Sequence, residues 1–173
     1  MLNFAYCSDK YQYTMGKSFY DSGMKDQHAV FNMFYRKAPE NNNWAVVSGI
    51  DEVIEMIENL GNMDPSFFEK FLPGEEYADF RGYLSAMKFT GTVYAMREGE
   101  IVFPNQPIII VEGPLIEAQV LETPILCIMN HQMAVATKAS RVCRATNRPV
   151  SEFGSRRAHG PWAATYGAKA AVI

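Results

Sequence analysis

Long apolar runs are missing from this chain. The longest, Ile125 to Met129, is far shorter than the ~20 residues a membrane-spanning helix needs. A GxxxxGK[ST] loop is also absent, which excludes ATP binding in the P-loop manner. No cluster of His, Cys and Asp has metal-ligand spacing. Excess charge of one sign is absent too. Sixteen Lys and Arg against nineteen Asp and Glu leave a net charge of -3, which offers no basic field for nucleic acid or a membrane surface. Cysteine is scarce: Cys7, Cys127 and Cys143 are odd in number and match no metal motif. Cys127 and Cys143 fall on the apolar side of a predicted helix and are expected to be buried free thiols in a reducing cytoplasm. Met1 to Asp9 holds neither a basic patch nor a long apolar stretch, so no secretory signal is expected. There is no internal repeat and no low-complexity tract.

What is present is an ordinary globular composition. Hydrophobic residues at 48% and charged residues at 20% suit a soluble core of one domain, or of one small domain plus part of another, in 173 residues. A first helix is predicted behind Ser8 or Asp9, ending at Gly23, with Tyr11, Met15 and Phe19 sharing one face. Ala29 to Tyr35 has the composition of a strand buried on both faces. The clearest polar loop runs from Glu40 to Asn43. A helix over Ile50 to Leu60 carries the stripe Val53, Ile54, Ile57 and Leu60, with Ser48 and Asp51 as a capping box. Shorter helices are expected over Ser66 to Phe71 and Glu75 to Ala86, parted by Pro73-Gly74.

The pattern then changes. Phe89 to Met96, Ile101 to Phe103 and Ile108 to Val111 are short β-rich runs divided by turn residues, predicting a small antiparallel meander. Gly113-Pro114 opens a long helical tract, split at Pro124 with Thr123 as cap. Val150 to Phe153 is predicted as a strand, and Trp162 to Ile173 as a helix. The fold class is α/β, with a mixed amino-terminal unit over residues 1–113 and the first elements of an α/β barrel over residues 114–173. A barrel of that kind takes roughly 250 residues, so the chain is expected to be truncated.

The chemistry concentrates in Glu152-Phe153-Gly154-Ser155-Arg156-Arg157-Ala158-His159-Gly160, at the carboxyl end of the predicted strand, where ligands converge in α/β folds. Two adjacent arginines offer planar forks for carboxylate or phosphate. Gly154 allows close approach, and Phe153 can present a flat face to an aromatic ring. The same residues also fit a charged loop with two solvated arginines. Tyr11 fits equally the core face of an amphipathic helix. His28 and His131 have no partner that the sequence identifies.

This stretch resembles the EFG-x-RR-x-HG signature of the nicotinate phosphoribosyltransferase family. Asp9-Lys10-Tyr11-Gln12-Tyr13-Thr14-Met15 is similar to the family's D-x-YQ-x-TM opening. Phe80-Arg81-Gly82-Tyr83-Leu84 and the passage from Phe103-Pro104-Asn105-Gln106-Pro107 to Glu112-Gly113-Pro114 also look familial. The resemblance implies an enzyme joining nicotinate to phosphoribosyl pyrophosphate, giving nicotinate mononucleotide and pyrophosphate. ATP hydrolysis is coupled through a phosphorylated histidine, with Mg²⁺ beside the phosphates. It implies a cytoplasmic homodimer whose active sites borrow residues from the partner's amino-terminal domain. On this resemblance Phe153 packs on the pyridine ring and Arg156 faces the phosphoribosyl and nicotinate site. Arg157 is a second anion contact, and Tyr11 reaches across the dimer to the other ring face. His159 is a loop residue, and the phosphohistidine is expected beyond Ile173, so no catalytic residue lies in this chain. A sister enzyme for nicotinamide or quinolinate and a non-catalytic interaction module are the alternatives. The Arg156-Arg157 pair favours an acidic substrate. The lack of lysine at the Glu98-Gly99 turn counts against a carrier module.

Overall fold

The structure, a computed structural model, describes residues 7–37 and 43–173; the predicted polar loop lies outside them apart from Asn43. Helix α1 (Lys10–Asp21) follows Asp9, whose backbone is extended, and stops before Gly23, which takes a φ of +70°. The left-handed turn after a helix suits glycine, which has no Cβ to clash. The buried side of α1 is Gln12, Tyr13 and Gly16, while Tyr11 and Met15 face outward. Tyr11 is therefore not a core residue of this helix.

Strands β1 (His28–Met33), β3 (Thr92–Ala95) and β5 (Ile109–Pro114) form one antiparallel sheet in the order β1-β5-β3. Along β1, exposed residues alternate with half-buried ones. The expected burial on both faces is thus corrected: Ala29, Phe31 and Met33 turn inward, and His28, Val30 and Asn32 face out. One face packs on α5 (Leu115–Val120) and the rest of the core, and nothing described covers the other, as antiparallel sheets allow.

The expected meander is also corrected. Strand β4 (Ile101–Val102) leaves its sequence neighbours and pairs with β2 (Ala45–Val46), Ala45 opposite Val102. The turn at Arg97 to Glu100 explains the detour. Val47 N–H donates to Glu100 O, and Gly99 N–H donates to Val47 O, both at 2.9 Å. These bonds stitch the turn to β2 and carry β4 away from the larger sheet.

Helix α2 (Ile50–Glu58) has no Ser48–Asp51 capping box. Gly49 stands at its start with φ +110°, and the Glu98 carboxylate accepts from Gly49 N–H and Ile50 N–H, each at 2.8 Å. A distant acid thus satisfies the orphan donors that a local cap would have taken, at the helix end that favours negative charge. Helices α3 (Pro65–Phe71) and α4 (Ala78–Ala86) follow, with Asp64 capping α3 through Ser66 N–H. Arg81 donates to the carbonyls of Leu72 and Gly74, tying the intervening turn to α4.

Helix α6 (Glu122–Arg144) runs without a break at Pro124, which sits in its first turn where no N–H is needed. Its inner stripe of Ile125, Met129, Met133 and Ala136 is buried. Cys127 and Cys143 lie off that stripe and are exposed, contrary to expectation, while Cys7 is half-buried and its thiol is pushed up by burial and by nearby Cys127. Val150 to Phe153 forms no strand, because no described segment lies beside it to complete a ladder. The last helix, α7 (Pro161–Ala170), packs on α6.

Two expectations follow from the packing. A Cβ on Gly91 would meet Glu112 O at 2.0 Å, where β5 runs past. Gly91→Ala should therefore destabilise the chain by about 3 kcal/mol, read from urea unfolding. Burial pushes the Tyr13 phenol up to about 12, and burial with Glu117 and Asp26 nearby pushes Tyr83 up to about 12. An unfolded tyrosine ionises near about 10. The unfolded chain therefore sheds these protons first, and the stability they contribute is lost as pH rises from about 10 to 12. Phenolate absorbance from Tyr13 and Tyr83 should emerge only with loss of the far-ultraviolet dichroism.

Candidate functional site

The loop between α6 and α7 carries the candidate site. After Glu152, a single 3-10 turn covers Ser155–Arg157, held by Arg157 N–H donating to Gly154 O at 2.8 Å and by Ala158 N–H donating to Ser155 O. Gly154 N–H donates to the Glu152 carboxylate. The turn aims Phe153 and both arginines at the flank of α6. They line a cavity of about 710 Å³ floored by Val135, Lys138 and Val142. Phe153 is 73% exposed, and the Arg156 guanidinium lies 5.9 Å from its ring centre. A cation over a ring face is a weak attraction at an exposed site. It aligns one fork beside one aromatic face, which is the arrangement a flat anion requires.

Tyr11 is not brought to this cavity. It lines a second one, about 500 Å³, with Lys37, Glu122, Leu126, Asn130 and Thr137 among its walls. The helix α6 stands between the two, and Ala134 borders both. The structure therefore groups Phe153, Arg156 and Arg157 and leaves Tyr11 apart.

The histidines also find places. His131 Nε2 lies 3.3 Å from Ala163 O, so it ties α6 to the first turn of α7, a partner the sequence did not reveal. With Arg157 and His159 it borders a smaller cavity of about 360 Å³. His28 opens β1 opposite Pro114.

The anchor of α7 is ionic. Lys169 Nζ lies 2.8 Å from Glu52 Oε1, 3.1 Å from Asp51 Oδ2 and 3.9 Å from Glu98 Oε1. Burial opposes its charge, yet the bonds to Glu52 and Asp51 outweigh it and hold the ammonium above its ordinary value. Gln132 donates to the other Glu52 oxygen at 2.9 Å. This network fixes α7, and so the loop before it, against α2 and α6.

Three residues escaped the sequence reading. Lys138 borders the larger cavity one turn beyond Ala134, and its spacing from His131 and Val142 could have flagged it. Gln12 and Glu122, which meet Tyr11 through Gln12, are joined by a contact across 110 positions that no local pattern encodes.

The fold and the site together define a mixed α/β chain with an aromatic face and paired guanidinium groups on the wall of one cavity. Residues 7–130 match the family model described as the nicotinate phosphoribosyltransferase (NAPRTase) N-terminal domain. Nicotinate phosphoribosyltransferase of Bacillus subtilis is 43% identical over 96% of this chain, and nicotinate phosphoribosyltransferase 2 of Arabidopsis thaliana is 36% identical over 89%. The crystal structure of human nicotinic acid phosphoribosyltransferase superposes with a TM-score of 0.81 at 32% identity, over 95% of this chain and 35% of that one. Nicotinate-nucleotide pyrophosphorylase from Pyrococcus furiosus, at 24% identity over 96% of this chain and 35% of that one, shares the fold with a TM-score of 0.74. The chain belongs to the nicotinate phosphoribosyltransferase family. It spans 34% of the Bacillus subtilis relative and 28% of the Arabidopsis one, about a third of the length of such proteins.

Because Phe153 is largely exposed, Phe153→Ala should leave the thermal midpoint almost unchanged, within about 0.5 kcal/mol in stability. A calorimetric loss well beyond that would show that the ring supports the fold and not a ligand.

Proposed function

We propose that this chain supplies the amino-terminal unit and the ring-binding loop of a nicotinate phosphoribosyltransferase, an enzyme of NAD biosynthesis. The reaction joins nicotinate to phosphoribosyl pyrophosphate and releases pyrophosphate. The single observation that carries the reading is the Arg156 guanidinium set 5.9 Å from the Phe153 ring centre inside a concave wall. Nicotinate is a flat anion: the Phe153 face takes its ring, and Arg156, with Arg157, takes its carboxylate or a phosphate oxygen. The pyridine nitrogen then attacks the ribose carbon as pyrophosphate departs. That step needs no protein nucleophile, so positioning and charge stabilisation carry it.

We also propose a homodimer, which the same geometry supports. Tyr11 and Phe153 face different cavities of one chain, so two faces on one nicotinate ring require Tyr11 from a second copy. We place residues 1–113 in the amino-terminal unit and 114–173 at the start of the catalytic barrel, in a cytoplasmic protein. No helix among the described residues is long and apolar enough to cross a membrane. Among the described residues no group of three His, Cys, Asp or Glu could hold a metal ion, so the Mg²⁺ of the family finds no donor set there.

Titration calorimetry checks this reading. The chain should bind nicotinate at least about tenfold more tightly than nicotinamide, the worth of one charge-assisted pair, and Arg156→Ala should erase the difference. Equal affinities in the unsubstituted chain would remove the carboxylate contact. No pyrophosphate release is expected from these 173 residues alone; robust turnover would place catalysis elsewhere than argued.

A further inference from the structure

We infer that Gln12 is a positioning residue that presents the Tyr11 hydroxyl as a hydrogen-bond donor to an anionic oxygen of the substrate. The inference rests on the function proposed above for the identity of that substrate, and on geometry alone for the rest.

Gln12 is completely buried, a costly place for a carboxamide unless every polar atom is paired. Its amide nitrogen donates to Glu122 Oε2 at 2.7 Å and to the Tyr11 hydroxyl oxygen at 3.0 Å. Its amide oxygen accepts from the Gln119 amide nitrogen, which also donates to the Gln12 main-chain oxygen at 3.0 Å. Each end is thereby fixed. An ionised carboxylate only accepts, so the Gln12 nitrogen must be the atom facing Glu122. The two Gln12 oxygens only accept, so the Gln119 nitrogen must face them. The carboxamide has no freedom to flip.

The consequence falls on Tyr11. An amide nitrogen only donates, so the phenol oxygen must accept from Gln12 and cannot donate to it. Among the described residues none accepts a hydrogen bond from the Tyr11 hydroxyl. The ring is 53% exposed and borders the cavity of about 500 Å³. The proton can turn toward that cavity, and a phenol whose oxygen already accepts is a stronger donor. A ring that only stacked would need no such clamp: fixing its hydroxyl with a fully buried amide, itself held by residues from α5 and α6, makes sense where the proton has a ligand to meet. The matching acceptor is a carboxylate or phosphate oxygen.

Two measurements test the clamp and the ligand separately. In the chain labelled with ¹⁵N-glutamine, Tyr11→Phe should move one Gln12 side-chain amide proton upfield and leave its mate on Glu122 in place. An unchanged pair overturns the inference without any ligand present. For the ligand, nicotinate and inorganic pyrophosphate are titrated into the chain and into Tyr11→Phe, Gln12→Met and the double variant. Tyr11→Phe should weaken one of the two anions about tenfold, with a modest drop in thermal midpoint from the unpaired Gln12 N–H, and adding Gln12→Met should cost no further affinity. The anion that responds identifies the acceptor, carboxylate or phosphate. Wild-type affinity for both anions in Tyr11→Phe, or additive losses in the double variant, would overturn it. If the unsubstituted chain binds neither anion, the substrate assignment falls together with the ligand half of the inference. The amide resonances still judge the clamp.

Discussion

Burial of one stripe along α6 is the constraint on which the other features depend. Ile125, Met129, Met133 and Ala136 face inward at helical spacing; the first three join the core formed by α1, α2, α4, α5 and both sheets, and Ala136 packs in a smaller cluster with Val46 and Ala170. A helix rotated by one position would expose that stripe and lose several kcal/mol of apolar burial at about 25 cal/mol per Å². Rotation is thus fixed, and with it the directions of everything that α6 carries outward. Glu122, Leu126, Asn130 and Thr137 border one cavity, whereas Val135, Lys138 and Val142 floor the other. One helix buried on one side sets both walls.

The second constraint is polar. Four charged or amide groups far apart in sequence, Glu52, Glu98, Gln132 and Lys169, converge between α2, α6, α7 and the turn before β4. Glu98 serves twice, as the cap of α2 and as a neighbour of Lys169. Surface ion pairs contribute little, but a cluster that also satisfies a helix terminus cannot lose a member without orphaning a partner. The arrangement gives the end of α7 a defined seat. The loop with Phe153, Arg156 and Arg157 is then anchored at both ends, by α6 before it and α7 after it.

Much of this was legible in the sequence where the signal is local. Helix periodicity placed α2, α6 and α7 within a few residues, and the turn residues around Arg97 to Glu100 and Pro104-Asn105 located the breaks between β3, β4 and β5. Strand partners were not legible: the choice of β2 by β4 rests on main-chain bonds from Val47, more than 50 positions upstream of Ile101. Capping by Glu98 was hidden for the same reason, and Ser48 with Asp51 mimicked a box that forms only if residue 49 takes right-handed helical dihedrals instead of left-handed ones. The cysteines were misjudged because an apolar run on α6 does not say which of its faces turns inward. Of the site, the loop was legible as chemistry from its residue types; Lys138 beside it, and Gln12 and Glu122 beside Tyr11, depend on contacts between elements.

The separation of the two aromatic groups bears on how such a site can work. A flat anion sandwiched by rings from one chain would need both rings in one cavity, yet here the α6 backbone intervenes. Moving Tyr11 to the Phe153 side would mean withdrawing Gln12 from its buried bonds to Glu122 and Gln119, and a buried amide stripped of partners costs ~1–3 kcal/mol before any packing loss. Supplying the second ring from another copy avoids that cost, because each chain keeps its own α1 in place. On the function proposed here, substrate affinity would then depend on association, and a clamp that keeps the Tyr11 hydroxyl oriented before the copies meet lowers the entropy lost when they do.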